Sequence, residues 1–300
     1  MIEKRLVQWY AADAGVDLDI AEREVALTYV LRIFADQGLL QYLAFKGGTA
    51  IRKLYLGNQG RFSLDLDFTA IGDADPESLI LDIVNGLHEH KHFGLTFNIP
   101  AADYYATPDS CGAEVTYQHE WITAGRFGIQ VSFRAQPLLP VRPMALRHER
   151  YFDWLGVEPP DVPSLDLHEM IGEKIRAAAQ RSRVRDLYDL YQLASQRFDR
   201  NIVRRIAVIK CWETNFAFEP VSFLEGIRSG GYDWADLRRL VKRGWEIPPE
   251  TIIRGVQKGY TFLNELTAEE TLLAGDPYSR QQQTYRFLVE SLKTTTIGDL

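Results

Sequence analysis

The chain has 300 residues and a net charge of −7 at pH 7, and 46% of its residues are hydrophobic. This composition excludes a disordered chain and leaves room for two domains or one large α/β body. The negative balance argues against a protein that coats nucleic acid with its whole surface. Cys111 and Cys211 have no nearby Cys or His at zinc spacing, which favours a reducing cytoplasm. Neither a secretion signal nor an apolar run of membrane-spanning length is visible, so we expect a cytoplasmic protein without membrane spans.

The first predicted element is an amphipathic helix over residues 18–37 with Asp19 as its cap. Its inner face is predicted to carry Ile20, Leu27, Val30, Leu31 and Phe34. An apolar run from Leu39 to Phe45 then predicts a strand, which is followed by the sequence Lys46-Gly47-Gly48-Thr49 and a second helical pattern.

The turn at Gly47 and Gly48 predicts a phosphate cradle. Glycines let the backbone approach a phosphate closely, and the N–H groups at the start of a helix attract its charge. Thr49 can cap the helix or touch the anion. By itself, however, a Gly-Gly-Thr sequence is more often a plain turn.

The next strand pattern, Phe62 to Phe68, alternates polar and apolar residues. Asp65 and Asp67 therefore point to one side, while the apolar residues between and beside them enter the core. Two adjacent carboxylates repel each other unless a cation lies between them, and Mg²⁺ accepts such ligands together with nucleotide phosphates. Taken alone, an Asp-x-Asp is usually a solvated strand edge, but here it follows the glycine turn closely.

Further along the chain, residues 77–92 predict a helix whose end carries the exposed histidines His88, His90 and His92. Alternating segments predict antiparallel strands that extend the sheet, at Leu95 to Ile99, Glu114 to Tyr117 and Arg126 to Phe133. The proline-rich pieces Pro137 to Pro143 and Pro159 to Pro163 predict loops, and the chain is predicted to be helical from about Ser164, with breaks at Gly230-Gly231 and Pro248-Pro249.

A second block of interest lies in the helical part. Lys174 falls within the apolar stripe of its helix, where a lysine needs a partner or must extend to the surface. Asp186 and Asp189 are three residues apart and share a helix face. These residues fit either a nucleotide site or a structural network of ion pairs.

The two blocks together resemble the AbiEii nucleotidyltransferase family, the toxin half of AbiE-type toxin–antitoxin pairs, within the polymerase-β-like superfamily. The first block is Lys46-Gly47-Gly48-Thr49-Ala50, Lys53, Tyr55, Arg61-Phe62-Ser63 and Asp65-Leu66-Asp67-Phe68, and the second runs from Glu173 through Arg181 to Leu190. The resemblance covers roughly residues 20 to 195. It implies an α+β fold: a nucleotidyltransferase domain with a mixed, mostly antiparallel sheet over residues 1–163, followed by a helical domain over residues 164–300 that contributes Lys and Asp site residues.

The resemblance also implies roles for single residues. Asp65 and Asp67 would hold Mg²⁺, and the catalytic set would be Asp65, Asp67, Lys174 and Asp186. The nucleotide would be bound by Lys46, Gly47, Gly48, Thr49, Arg61, Ser63 and Asp189. Many relatives in the superfamily carry a third carboxylate on a later strand, where this chain has Gln130 and Ser132, so Asp186 is the substitute candidate for the general base.

The segment from Lys174 to Lys210 holds ten Lys or Arg against three Asp, a local charge of +7. Such a cluster fits an RNA backbone, with Arg176, Arg181, Arg183 and Arg185 as the predicted RNA-binding residues, or simply a solvated helix face. By resemblance, the expected function is Mg²⁺-dependent transfer of NMP from NTP to an RNA 3′ end, with a tRNA acceptor stem as the leading target, which blocks translation. A monomer that pairs with an AbiEi-like antitoxin is expected. The alternatives are nucleotidylation of a protein or small-molecule hydroxyl, and a catalytically idle regulator that binds nucleotide or partner.

Overall fold

The structure, a computed structural model, describes residues 2–294. The chain divides into two compact units. The first contains residues 2–137, 141–165 and 239–245, and the second contains residues 138–140, 166–238 and 246–294. In the described part of the chain no helix is long and apolar enough to cross a membrane.

The first unit is built on one mixed sheet. Its strands are β1 Leu43–Lys46, β2 Leu66–Ala70, β3 Lys91–His92, β4 Leu95–Asn98, β5 Tyr104–Thr107, β6 Ser110–His119, β7 Ile122–Ser132, β8 Arg142–Ala145 and β9 Asp161–Ser164. Their order is β3-β4-β6-β7-β2-β1-β9-β8, and β5 also pairs with β6. Pairing is parallel between β2 and β7 and between β1 and β9, and antiparallel in the other observed pairs. The sheet is therefore mixed and mostly antiparallel, as predicted.

The helices of the first unit are α1 Lys4–Ala14, α2 Leu18–Asp36, α3 Gly47–Ala50, α4 Pro76–Leu87 and α5 Arg150–Leu155. The predicted inner face of α2 is confirmed, since its five residues are at most 2% exposed. The helix starts after Asp17 rather than at the predicted cap Asp19, which lies in the first turn. Helix α3 continues directly into a π-helix over Ile51–Leu56.

A buried group of charges fixes that π-helix against α2. Lys53 Nζ donates to Glu24 Oε1 at 2.7 Å and to Thr28 Oγ1 at 2.8 Å. Arg52 donates to the carbonyl oxygens of Gly57 and Gly60 at 3.0 and 2.8 Å. Burying charges costs free energy that only such pairing offsets. Lys53 belongs to the first block that resembles the family, and its contacts with α2 give it a structural role.

Three predicted boundaries were wrong. The strand predicted from Leu39 begins at Leu43, because Leu39–Tyr42 forms a 3₁₀ turn. The helix predicted over residues 77–92 ends at Leu87, and Lys91–His92 forms β3. The two proline-rich pieces predicted as loops overlap β8 and β9, which pair with Pro143 opposite Pro163. Strand β8 lies at the sheet edge, where a missing N–H is tolerated.

The second unit is helical. Its helices are α6 Leu167–Gln180, α7 Val184–Leu193, α8 Arg200–Trp212, α9 Pro220–Gly226, α10 Trp234–Arg238, α11 Pro249–Gly259, α12 Ala268–Ala274 and α13 Gln282–Thr294. Local signals set several starts: Asp166 caps α6, Asp199 caps α8, and Thr267 with Glu270 forms a capping box on α12. The buried carboxylate of Glu169 accepts from the backbone N–H groups of Leu138 and Leu139 and pairs with Lys210 Nζ at 2.7 Å.

Candidate active site

The glycine turn and the carboxylate pair meet in the first unit, at the ends of β1 and β2. The two strands pair antiparallel with Lys46 opposite Asp67. Gly47 has a φ of +79°, and a Cβ placed there would lie 2.3 Å from Asp67 Oδ2. A side chain at this position would therefore collide with the carboxylate, so glycine is required both by the backbone conformation and by the close approach of Asp67.

Gly48 is packed in a similar way by two other predicted nucleotide-binding residues. A Cβ at Gly48 would lie 2.5 Å from Arg61 Nη2 and 3.2 Å from Ser63 Oγ. Both residues are largely buried, and Arg61 Nη1 donates to the carbonyl oxygen of Phe62 at 3.1 Å. The structure thus brings Arg61 and Ser63 against the glycine turn.

Two backbone contacts hold Asp65. The hydroxyl of Thr49 donates to the carbonyl oxygen of Asp65, and the N–H of Gly128 donates to Asp65 Oδ1 at 3.0 Å. Thr49 is fully buried and lies inside α3, whose N-cap residue is Lys46. The hydroxyl of Thr49 therefore positions Asp65 and does not cap the helix.

Asp65 and Asp67 line one open cavity of about 390 Å³. The cavity is also lined by Tyr105, and by Asp103, Glu114 and Gly128, which the sequence analysis did not assign to the site. Gln130 lines it too and lies opposite Asp67 on β7, so a neutral amide stands beside the carboxylate pair. No group of three or more His, Cys, Asp or Glu within residues 2–294 is arranged to hold a metal ion. Asp65 and Asp67 remain the residues that could bind a cation, since Mg²⁺ takes one or two carboxylates and completes its shell with water and phosphates.

The second block forms its own cluster in the second unit. Lys174 Nζ contacts Asp186 Oδ1 at 3.0 Å and Asp189 Oδ2 at 2.8 Å. Arg181 Nε donates to Asp186 Oδ2 at 2.9 Å. Burial alone would raise the pKa of Asp186, but the charges and hydrogen bonds of Lys174 and Arg181 outweigh it and lower the pKa to about 2. A carboxylate with so low a pKa is a weak general base.

The predicted RNA-binding arginines differ in their surroundings. Arg183 is exposed, Arg176 donates to Gln180 Oε1 at 2.6 Å, and Arg185 forms a two-bond pair with Asp236 at 2.7 and 2.8 Å. Within the same positive segment, Arg204 and Lys210 are buried in ion pairs with Glu270 and Glu169. Part of the local +7 charge is therefore internal.

Comparisons with known proteins identify the family and the fold. Residues 29–227 match the family model described as "Nucleotidyl transferase AbiEii toxin, Type IV TA system". The chain belongs to the AbiEii family. This AbiEii protein is therefore a nucleotidyltransferase of the toxin class of type IV toxin–antitoxin systems.

Solved structures with similar folds include two bacterial proteins. MenT4, a nucleotidyltransferase toxin from Mycobacterium tuberculosis, is 25% identical, with a TM-score of 0.82 over 97% of this chain and 99% of that one. JHP933 from Helicobacter pylori is 16% identical, with a TM-score of 0.52 over 84% of this chain and 94% of that one, and supports the fold alone. No curated protein sequence matches the chain.

Proposed function

We propose that this AbiEii protein transfers NMP from an NTP to the 3′ end of an RNA, with a tRNA acceptor stem as the leading target, and that it thereby blocks translation. The observation that carries the proposal is the packing of the Gly47-Gly48 turn against Asp67, which lines an open cavity together with Asp65. A site built this way combines anion-binding backbone with carboxylates that suit a cation, as nucleotidyl transfer from a triphosphate requires.

Mg²⁺ fits the carboxylates. When bound, it would neutralise phosphate charge and orient the triphosphate. The chain's own part is to hold Asp65 in place, through the contacts of Thr49 and Gly128 with it. Gly47 and Gly48 would receive the β- and γ-phosphates, with Lys46, Arg61 and Ser63 around them.

For the second unit, the proposal rests on the family motif and on the ion pairs within that unit. Lys174 would neutralise charge that builds on the leaving pyrophosphate. Asp186 and Asp189 would hold the ammonium group of Lys174, since both contact it. Arg176, Arg181, Arg183 and Arg185 would contact the RNA backbone. We further propose that the protein acts as a monomer in the cytoplasm, where NTPs and tRNA are found, and is inhibited there by an AbiEi-like antitoxin.

The test is to incubate the purified chain with Mg²⁺, total tRNA and each α-labelled NTP in turn. We expect the wild type to label tRNA, and an Asp65→Ala, Asp67→Ala double variant to lose the label. The matched control is the Asp73→Ala, Asp82→Ala double variant, which removes two exposed carboxylates from the same unit. Lys174→Ala, in the same assay, should label more weakly and be rescued in part by Lys174→Arg.

Each other result has a definite meaning. Label on a protein or on an aminoglycoside, with none on RNA, would mean that the acceptor is a hydroxyl group of that molecule and not of RNA. Absence of transfer to every acceptor, with NTP binding retained, would support the idle regulator instead.

A further inference from the structure

A row of aligned residues crosses the sheet from the glycine turn to an aromatic ring. Register places one residue of each neighbouring strand in this row, from β1 through β2, β7 and β6 to β5: Lys46, Asp67, Gln130, Gly112 and Tyr105. Residues that lie opposite each other on neighbouring strands project from the same face. Asp67, Gln130 and Tyr105 accordingly line the same cavity.

The ring of Tyr105 lies over Gly112. A Cβ at Gly112 would be 3.1 Å from Tyr105 Cε1 and 3.2 Å from its hydroxyl oxygen, so the ring leans toward the centre of the row. Tyr105 is nevertheless 45% exposed. An aromatic side chain that packs on a glycine and keeps its other side open to a cavity can accept a second planar group.

In-line chemistry assigns the two ends of the row. The nucleophile and the leaving group lie on opposite sides of the phosphorus that is transferred. The glycine turn follows β1, so pyrophosphate would leave on the β1 side of the carboxylates. The attacking hydroxyl would then arrive over β7, β6 and β5. Neighbouring strands are roughly 4.8 Å apart, so Gly112, two strands beyond Asp67, is about 10 Å away across the sheet, which is the scale of one nucleoside.

We propose that Tyr105 is the stacking platform for the base of the acceptor's terminal nucleoside, the one whose hydroxyl attacks. The proposal rests on the function proposed above and narrows it, since the site then selects an acceptor that ends in a base. Asp103 and Glu114 line the same cavity and can accept hydrogen bonds from ribose hydroxyls or from base amino groups. The same carboxylates would also attract an amine-bearing acceptor, whose affinity would not depend on a terminal base.

The test uses the RNA that the wild type labels, prepared with its 3′-terminal nucleoside either intact or abasic. Stacking of one base on an aromatic side chain corresponds to about 5- to 150-fold in affinity. We expect Tyr105→Ala to raise the KM for intact RNA by that factor and to leave the KM for NTP unchanged. Tyr105→Phe keeps the ring and should behave as wild type. Tyr42→Ala is the matched control, because Tyr42 is 36% exposed in the same unit and does not line the cavity.

The abasic RNA completes a two-by-two comparison. Wild type and Tyr105→Phe should bind abasic RNA more weakly than intact RNA, by the same factor of about 5 to 150. Tyr105→Ala should bind the two RNAs almost equally. The wild-type and Tyr105→Phe measurements stand even if Tyr105→Ala folds poorly.

Three results would overturn the proposal while leaving RNA transfer intact: an abasic penalty that persists in Tyr105→Ala, a Tyr105→Phe variant as weak as Tyr105→Ala, or a rise in the KM for NTP instead of RNA. Transfer only to a protein or an aminoglycoside would instead overturn both this proposal and the RNA acceptor.

Discussion

At the scale of single residues, the carboxylate pair depends most directly on Gly47. Replacing Gly47 by Ala puts a methyl group 2.3 Å from Asp67 Oδ2 at a φ of +79°. The left-handed conformation alone costs about 1–2 kcal/mol for a residue with a Cβ. The collision must also displace Asp67, and a misplacement of the order of an ångström in a catalytic group can lower the rate roughly 100-fold. We expect Gly47→Ala to lose transfer by about that factor, measured as label on tRNA per unit time.

Gly72→Ala is the control for strain alone. Gly72 has a φ of +67°, and a Cβ there would meet nothing within 4 Å. It should lower the melting temperature only by the cost of the backbone strain, and it should still transfer at nearly the wild-type rate. Equal activity of the two variants would show that the position of Asp67 does not limit the reaction.

The sequence indicated the centre of this site but not its far side. Asp65 and Asp67 could be paired by strand alternation within one short segment, and they do share a cavity. Tyr105 and Glu114 reach that cavity only through the registers of β5 with β6 and of β6 with β7. Such registers join residues far apart in the chain, and a local pattern does not determine them. The ring of Tyr105 over Gly112 is a consequence of pairing that no spacing revealed.

At the scale of elements, the spacing of apolar residues and the positions of turn residues predicted α2, α4 and the antiparallel strands to within about five residues. The strands β8 and β9 were missed because Pro143 and Pro163 resemble loop residues locally. Their place in the sheet depends on edge position and on pairing with β1, which are tertiary properties. The π-helix was missed for a related reason: its residues have an ordinary helical pattern, while Arg52 and Lys53 are held by buried partners from other elements.

The packing of α2 against the β6–β7 hairpin predicts a pH dependence of stability. Glu22 of α2 is 1% exposed, and its Oε2 lies 3.2 Å from His119 Nε2 at the end of β6. Burial raises the pKa of Glu22 to about 7, and the hydrogen bond with Tyr117, which lowers it, only partly offsets this effect. Between pH 4.5, the ordinary value, and pH 7 the folded state holds more protons than the unfolded state. The contribution of Glu22 to stability should therefore fall as pH rises through this window.

Glu22→Gln removes this titration and keeps the shape of the side chain. We expect the variant to be more stable than wild type by about 3 kcal/mol at pH 8 and to match it near pH 4, where the carboxyl of wild-type Glu22 is protonated and as neutral as the amide. Urea unfolding at pH 4, 6 and 8 measures the difference. Glu158→Gln, a change at an exposed glutamate of the same unit, should show no such trend. If the difference in unfolding free energy between Glu22→Gln and wild type is the same at all three pH values, the glutamine acts through hydrogen bonding and not through the loss of charge.

At the scale of the whole molecule, a chain with net charge −7 can bind RNA only through local positive surface, because phosphate neutralisation dominates the affinity. The segment from Lys174 to Lys210 is the candidate, but Arg204 and Lys210 are buried with Glu270 and Glu169. The binding charge must therefore come from accessible residues such as Arg183. The number of phosphates contacted should be correspondingly small.

Salt dependence measures this number directly. If Arg183 contacts a phosphate, Arg183→Ala should weaken tRNA binding across sequences and reduce the slope of log K against log salt by about 1. Arg254→Ala is the matched control, since Arg254 is an exposed arginine of the same unit, 3.8 Å from Glu250. It should leave the slope unchanged. Removing an ion pair between the protein and a phosphate changes the number of counterions released on binding, and therefore the salt slope. If wild type and Arg183→Ala have equal salt slopes while tRNA is still labelled, Arg183 does not contact a phosphate.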